Sequence, residues 1–332
     1  MGDNKKVARA PNTRHRYSLR QGRRVSCLCP CSSISPAACR NWLRSPDGVR
    51  LQPWESEKLH PATNPSGVVA FGAYHFATVR GLARIATILA HHYHALPMSV
   101  RVLKPAEMHD FKHTEHESLF LSEEDEVSSL GYPLKKELVF DTPASGLVSA
   151  IEYNDAHAVV LGYPIGKNPR VFHRVLDTVA SNILCPLIAV RFVGTFKTDR
   201  ILVPFQSARE LNKLLPVLEA MAMTAQPHIT FLHLLHSDIG KEEIRRFGTE
   251  LEEWLAENFF DIETNHMAEA VESSLEMILH ESQYHDLIIM SAARRYGLER
   301  MFFGSLSNSV VMNCQKPVIV VHTPEEEPGE DL

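Results

Sequence analysis

Three groups of residues in this 332-residue chain have types and spacings that chemistry can use. His109, His113 and His116 in "HDFKHTEHE" fall at helical i, i+4, i+7 spacing, which would turn three imidazoles toward one divalent metal. The acidic loop around them favours a solvated surface instead. His280 and His285 in "HESQYH" approximate a zinc-protease helix, but their separation turns them to different sides. The third group is "FFGSLSNSVVMNCQKPVIVV", residues 302–321, where Gly304 and Ser305 open a short helix before an apolar strand. Two readings stand open there: Ser305 as a plain N-cap, or Gly304 and Ser305 together as part of a phosphate cradle.

Catalytic machinery is not expected. "GSLSNS" lacks the strand-to-helix serine of a nucleophile elbow, and no pair of carboxylates ends a strand. The run "SEEDE" reads as a solvated face. His91, His92 and His94 close the first helix, where cationic side chains suit the dipole. Of the six cysteines, Cys27, Cys29, Cys31 and Cys39 lack the paired spacing of common zinc sites, so no metal is expected. Cys185 and Cys314, each shortly before a strand, read as reduced core residues.

The elements that would position such groups begin at Ser66. "SGVVAFGAY" leads to "FATVRGLARIATILAHHYHA", whose Val79, Leu82, Ala83, Ile85, Ala86 and Leu89 share one helical face, and then to "MSVRVL". Further β-like and helical runs follow through "HAVVLGYP" and "CPLIAVRF". The order then repeats from "DRILVPF" to "KPVIVVH", with "KEEIRRFGTELEEWLAENFF" carrying Ile244, Phe247, Leu251, Leu255 and Phe259 on one face. Val69 and Ile201, His157 and His285, Pro186 and Pro317 recur at a similar offset, so the chain reads as a duplication.

Unbroken apolar strands alternating with helices predict parallel sheets covered on both faces, that is, two tandem doubly wound, Rossmann-like α/β domains over 67–194 and 199–323. Ligands of such sheets sit beyond the carboxyl ends of the strands, which directs attention to the loops after "DRILVPF" and "DLIIMSA" and after "GVVAFG" and "AVVLG". The two final apolar strands would be bare sheet edges. They are expected to pair within one chain as an intramolecular pseudo-dimer.

Composition is that of an ordinary globular protein, 44% hydrophobic and 22% charged with a net charge of −6. Residues 1–66 carry roughly +8, leaving about −14 for the rest. That acidic body excludes an electrostatic footprint for nucleic acid, and no apolar run long enough to insert directly into a membrane occurs. Residues 1–66 lack periodic apolar content and are expected to be a disordered basic tail or the product of an over-early start codon, with an Arg-rich targeting peptide as the other reading. Residues 324–332 read as a disordered acidic tail, and the protein as cytoplasmic.

The stretch "HDLIIMSAARRYGLERMFFGSLSNSVVMNCQKPVIVVH" resembles the C-terminal half of a universal stress protein domain, with the likeness in order and spacing over Asp199–His322 and more weakly over Gly67–Phe192. The whole resembles a tandem universal stress protein. Nucleotide-binding members of that family have a Gly ending the fourth strand, a second Gly three residues on, and Gly-Ser ten residues later. Here Ser291 and Arg294 take the first two positions, and Gly304 and Ser305 the last. An Asp that such members place near the adenosine is Gln206 here and Gly72 in the first domain. There Gly162 matches the opening Gly, Ile165 replaces the second, and His173 and Arg174 stand where Gly-Ser would be.

The resemblance implies a stress-response binding or regulatory module, not an enzyme, in which ATP or another adenine nucleotide binds weakly or not at all. Its residues would be Gln206, Ser291, Arg294, Arg295, Gly304 and Ser305 in the second domain and Gly162 in the first. Lost glycines restrict backbone approach to phosphate, although Arg294 and Arg295 offer guanidinium groups in exchange. Tandem regions with eroded glycine motifs are also similar to cytoplasmic tails of amino acid and cation-chloride transporters, which gives a transporter or other protein partner as an alternative. A slow nucleotide hydrolase is a further one, with His266 or Glu299 to activate water.

Overall fold

The computed structural model describes residues 50–51, 58–73, 76–109, 118–163, 169–259, 261–292 and 304–324. The N-terminal cysteine cluster, the three-histidine reading of "HDFKHTEHE", Ile165, Arg294, Arg295, Glu299 and nearly all of the acidic tail lie outside the described residues. Those that are described fall in one compact unit beginning at Pro46.

In chain order the elements are β1 (Arg50–Leu51), β2 (Val68–Gly72), α1 (Phe76–His92), β3 (Leu96–Leu103), α2 (Leu121–Ser129), β4 (Lys135–Phe140), α3 (Pro143–Tyr153), β5 (Ala156–Gly162), α4 (Pro169–Asn182) and β6 (Leu187–Arg191). They continue as β7 (Thr195–Phe196), β8 (Arg200–Phe205), α5 (Ala208–Ala225), β9 (His228–His236), α6 (Lys241–Asn258), β10 (Thr264–Val271), α7 (Ser274–Glu281), β11 (Leu287–Ser291), α8 (Ser305–Asn313) and β12 (Val318–His322). Ten strands form one sheet in the order β10-β9-β8-β11-β12-β6-β5-β2-β3-β4. Every neighbouring pair is parallel except β12 with β6, which run antiparallel from Leu187 opposite His322 to Arg191 opposite Val318. Two parallel doubly wound halves therefore share a continuous α/β sheet.

The apolar strands explain this layering, because central parallel strands must bury side chains on both faces. β11 and β12 are buried throughout, β2 in all but its last residue and β5 over its central four residues. One face packs against α1, α5 and α6 through residues such as Phe71, Leu82, Leu218, Phe231 and Leu255. The other packs against α3, α4, α7 and α8 through Val100, Leu176, Ile278 and Val310. All six apolar positions singled out on α1 are buried, and on α6 Leu251 and Leu255 are, as is Phe259 just beyond its end.

Two expectations need correction. Residues 58–66 are not a tail that leaves the fold untouched: Leu59 is buried, its N–H donates to the Leu130 carbonyl at 2.8 Å, and the Tyr132 hydroxyl donates to the His60 carbonyl at 3.3 Å. Gly131, at φ 93°, leaves room for the Leu59 carbonyl, which an added Cβ would meet at 2.4 Å. β1 pairs in parallel with β7, so Arg50 and Leu51 join the link between the two halves. Apolar residues in this segment are too sparse to show a period, but one well-placed leucine and backbone hydrogen bonds suffice to dock it.

The run "SEEDE" is not a solvated face. Glu123 and Glu126 on α2 are buried, at 0% and 3% exposure. Arg101 from β3 reaches Glu123 at 2.6 Å, and Arg84 from α1 reaches Glu126 at 2.6 Å with Arg80 at 3.3 Å. A buried carboxylate persists only when paired, and these arginines supply the pairing. Among the described residues the second oxygen of Glu123 has no hydrogen-bond partner.

Candidate functional site

In the second half, β8, β11 and β12 are neighbours and parallel, so Gln206, Ser291 and Thr323 emerge at one end of the sheet. This is the end at which a doubly wound sheet presents loops and helix N-termini. Gln206 is exposed, and its N–H donates to Glu210 Oε2 at 2.9 Å. Ser207, in extended backbone conformation, caps α5 by accepting from the Glu210 N–H. These reciprocal bonds close the start of α5 with the protein's own side chains. Burial pushes the Glu210 carboxyl up, and the Gln206 N–H and Lys213 pull it back down.

Ser291 ends β11 with its side chain buried, in register with Val321. The position is thus filled where a glycine would leave space. α8 begins differently from α5. Its N-cap is Gly304, with no side-chain hydrogen bond to the cap, and Ser305 is the exposed first helical residue. The reading of Ser305 as N-cap is therefore corrected by one position: Ser305 already belongs to the helix, and Ser307 Oγ turns back onto the Gly304 carbonyl at 3.1 Å. The first N–H groups of α8 are left without a side-chain acceptor from the cap, the condition under which a helix N-terminus accommodates an anion.

A residue that sequence reasoning passed over completes this end. His233 on β9 lies opposite Phe205, buried, its ring stacked on Phe205 at 4.6 Å and edge-on to Phe247 at 5.2 Å. Burial lowers its pKa, against the opposing influence of the Gln206 backbone and Glu250. Among the described residues His233 Nδ1 has no hydrogen-bond partner, and neither does the buried Thr323 Oγ1 just past β12. The one signal available was a histidine inside the otherwise apolar run "TFLHLL", where a buried strand position would carry an aliphatic residue.

The first half is closed at the corresponding end. Gly162 ends β5 with Leu82 and Thr78 each 3.4 Å from where a Cβ would stand. His173, at the expected place of Gly-Ser, brings its Nε2 within 3.0 Å of the Tyr163 hydroxyl. Burial raises the Tyr163 phenol, with Arg191 opposing. His266, considered as a water-activating residue, is not at the carboxyl end of any strand. It sits within β10, paired with Phe231, and its Nε2 lies 3.4 Å from Glu252 on α6. Among the described residues no group of three His, Cys, Asp or Glu is arranged to hold a metal ion, and no helix is long and apolar enough to cross a membrane.

Residues 197–322 match the Universal stress protein family. A universal stress protein of Methanocaldococcus jannaschii is 33% identical over 88 residues, 26% of this chain and 49% of that protein, so the chain spans about half the length of the curated relative it matches. Among solved structures, a universal stress protein from Archaeoglobus fulgidus superposes with a TM-score of 0.55 at 16% identity, covering 79% of this chain and 98% of that one. The cytoplasmic domain of a prokaryotic cation chloride cotransporter superposes with a TM-score of 0.54 at 10% identity, covering 79% and 97%. At such identities the likeness is one of fold. It extends over both halves, whereas the family match covers the second.

Proposed function

We propose that this protein is a non-catalytic regulatory module of the cytoplasm, whose second half holds an adenine nucleotide weakly and whose first half holds none. The observation that carries this reading is the start of α8, where Gly304 leaves the helix N-terminus without a side-chain cap at the sheet end that also carries Gln206 and Ser291. The partnerless His233 Nδ1 and Thr323 Oγ1 support it, because buried polar atoms without partners are rare and call for a ligand or a water. In the first half the His173 to Tyr163 contact occupies the equivalent place. The pairing of β6 with β12 supports treating the two halves as an intramolecular pseudo-dimer.

Affinity for ATP is low in this reading. Ser291 and Arg294 stand in the sequence where nucleotide-binding members have glycine, and Gln206 where they have Asp; three losses of about 1 kcal/mol each amount to roughly a hundredfold. Titration calorimetry of the full chain tests it. The unaltered protein gives weak binding, Ser291→Gly with Arg294→Gly and Gln206→Asp strengthens it by one to two orders of magnitude, and Gly304→Val abolishes it. Low-micromolar binding that is lost on Arg294→Gly would overturn the glycine argument and make the arginine the phosphate ligand. A second reading, a regulatory domain acting beside a transporter, draws on the fold likeness to the cotransporter domain across both halves. Its test is co-purification of an integral membrane transporter with the tagged chain. The hydrolase reading gains nothing from His266, which is tied to Glu252.

A further inference from the structure

Residues 58–66 cross the end of α1 as a strap, and histidines stand at both places where it is fastened. At the first, the Leu59 N–H donates to the Leu130 carbonyl at 2.8 Å and the Tyr132 hydroxyl to the His60 carbonyl at 3.3 Å. Tyr132 has one proton to give, so the 2.9 Å contact between its oxygen and His91 Nδ1 is a donation from His91. Burial pushes the Tyr132 phenol up to about 12, which keeps its proton in place. At the second, the Ser66 N–H donates to the His94 carbonyl at 3.1 Å, and His157 Nε2 donates to the Ser66 carbonyl at 2.9 Å with its ring stacked on Tyr93.

The two fastenings respond differently to a proton. His157 donates through Nε2 whether its ring is neutral or charged, so its bond to Ser66 survives protonation. His91 already spends its Nδ1 hydrogen on Tyr132, and an added proton must go to Nε2. Around that ring stand His60 on the strap, His94 in the turn after α1, the neighbouring His92, and the Tyr132 hydroxyl after α2. Burial lowers the His91 pKa most; the His60 backbone opposes it, and the His94 and His60 side chains lower it further. His92 differs, because its Nε2 lies 3.6 Å from Glu219 on α5, a carboxylate that offsets part of its burial. Among the described residues no carboxylate does this for His91. The first fastening is therefore firmest with His91 neutral; it begins to weaken below the ordinary histidine value of about 6.5 and goes on weakening down to the lower value of the docked state.

We propose that residues 58–62 are a proton-released strap: a proton on His91 Nε2, facing His60 and His94, lifts Leu59 from its seat beside Leu130 and Tyr132, while Ser66 stays fastened by His157. The strap then peels from one end only. Lifting it uncovers apolar surface that Leu59 covers in the docked state, next to Leu130 and Tyr132. A general weakening of the fold in acid would loosen both fastenings together, whereas this device loosens one. It shares no residue with the end at Gln206, Ser291 and Gly304, so it stands whether or not a nucleotide binds there.

The test is native-state hydrogen exchange of the full chain, followed amide by amide at pH 7.5, 6.5 and 5.5 and corrected for the intrinsic pH dependence of exchange. Between the highest and lowest pH the protection of the Leu59 amide is expected to fall by at least about tenfold, while that of Ser66 and of Val159 in the sheet changes by less than about twofold. His91→Gln keeps an amide donor for Tyr132 and takes up no proton, so Leu59 protection in that variant should be the same at all three values. Leu59 protection that ignores pH in the unaltered protein overturns the proposal. So does a fall that Ser66 and Val159 share, which is acid destabilisation of the whole fold, and so does an undiminished pH dependence in His91→Gln. If His91→Gln fails to fold by circular dichroism, His60→Gln and His94→Asn decide: each removes a cation facing His91 and should move the release to lower pH, and an unmoved midpoint in both refutes the strap.

Discussion

The two halves carry the same order of strands on one sheet, yet they place their polar residues in opposite ways. The first half hides charge inside: Arg101 with Glu123 and Arg84 with Glu126 lie between α1, α2 and β3, while its carboxyl end is sealed by Tyr163 and His173. The second half keeps its ion pairs outside, along α6, where Arg245 with Glu242 and Arg246 with Glu243 are mostly exposed. Its unpaired polar atoms, His233 Nδ1 and Thr323 Oγ1, sit at the carboxyl end instead. A duplicated sheet thus preserves its apolar strands, which packing constrains, and diverges at strand ends and helix faces, where different partners can satisfy the same backbone.

The largest effect expected from this difference is on stability. Arg101→Met strands Glu123 as an uncompensated buried charge and should cost about 3–5 kcal/mol in urea unfolding. Its counterpart in the second half, Arg245→Ala, should change stability by no more than a few tenths of that range, about 0–1 kcal/mol, because the α6 pair is solvated. Equal losses would dissolve the contrast between buried and exposed charge. Next comes Leu59→Ala, expected to cost about 2–4 kcal/mol and to act on the first half through Leu130 and Tyr132. A melting curve that does not move would mean the segment at 58–66 lies on the fold without supporting it.

Acidity should weaken both halves. Burial lowers the pKa of His91 and His92 in the first and of His233 and His285 in the second, so each stays neutral in the folded protein at a pH where the unfolded chain has begun to take up the proton. The unfolded state binds more protons below about pH 6.5, and stability should be level above that value and fall as pH drops through the folded values. Urea midpoints measured from pH 7.5 down to 5 check it; a midpoint that rises on acidification contradicts the sign. The smallest effect is at α5, where Ser207→Ala removes a cap and should cost about 1 kcal/mol, while Gly304→Ser, adding a cap to α8, should stabilise by a few tenths and weaken any anion bound there.

Much of the fold was readable because the strands are uninterrupted apolar runs and the helices keep one apolar face, as on α1 from Val79 to Leu89. Such patterns report burial directly. The carboxylates of "SEEDE" were not readable, since a glutamate destined for the interior looks like any other until its partner is placed, and Arg84 and Arg101 stand 42 and 22 residues away. Leu59 failed for a similar reason, being one apolar residue in a stretch without period. At the candidate site, Gly304 and Ser305 were visible as a helix start, but which of them caps it depends on backbone angles at one residue. His233 was hidden because a histidine in a strand gives no sign of which ring atom will lack a partner.

The antiparallel junction of β6 with β12 also bears on how the chain is made. Strands β8, β9 and β11 can find both neighbours within their own half, as can β2, β3 and β5, but Leu187–Arg191, paired on one edge with β5, must wait for Val318–His322 to cover its other edge, roughly 130 residues later. During synthesis the first half leaves the ribosome with an apolar edge, "LIAV", uncovered until almost the last strand emerges. Another nascent copy can offer its own β12 to that edge with the same register. Chains crowded on one messenger are therefore prone to exchange halves, and slow elongation between Arg191 and Val318 lengthens the interval in which they do so.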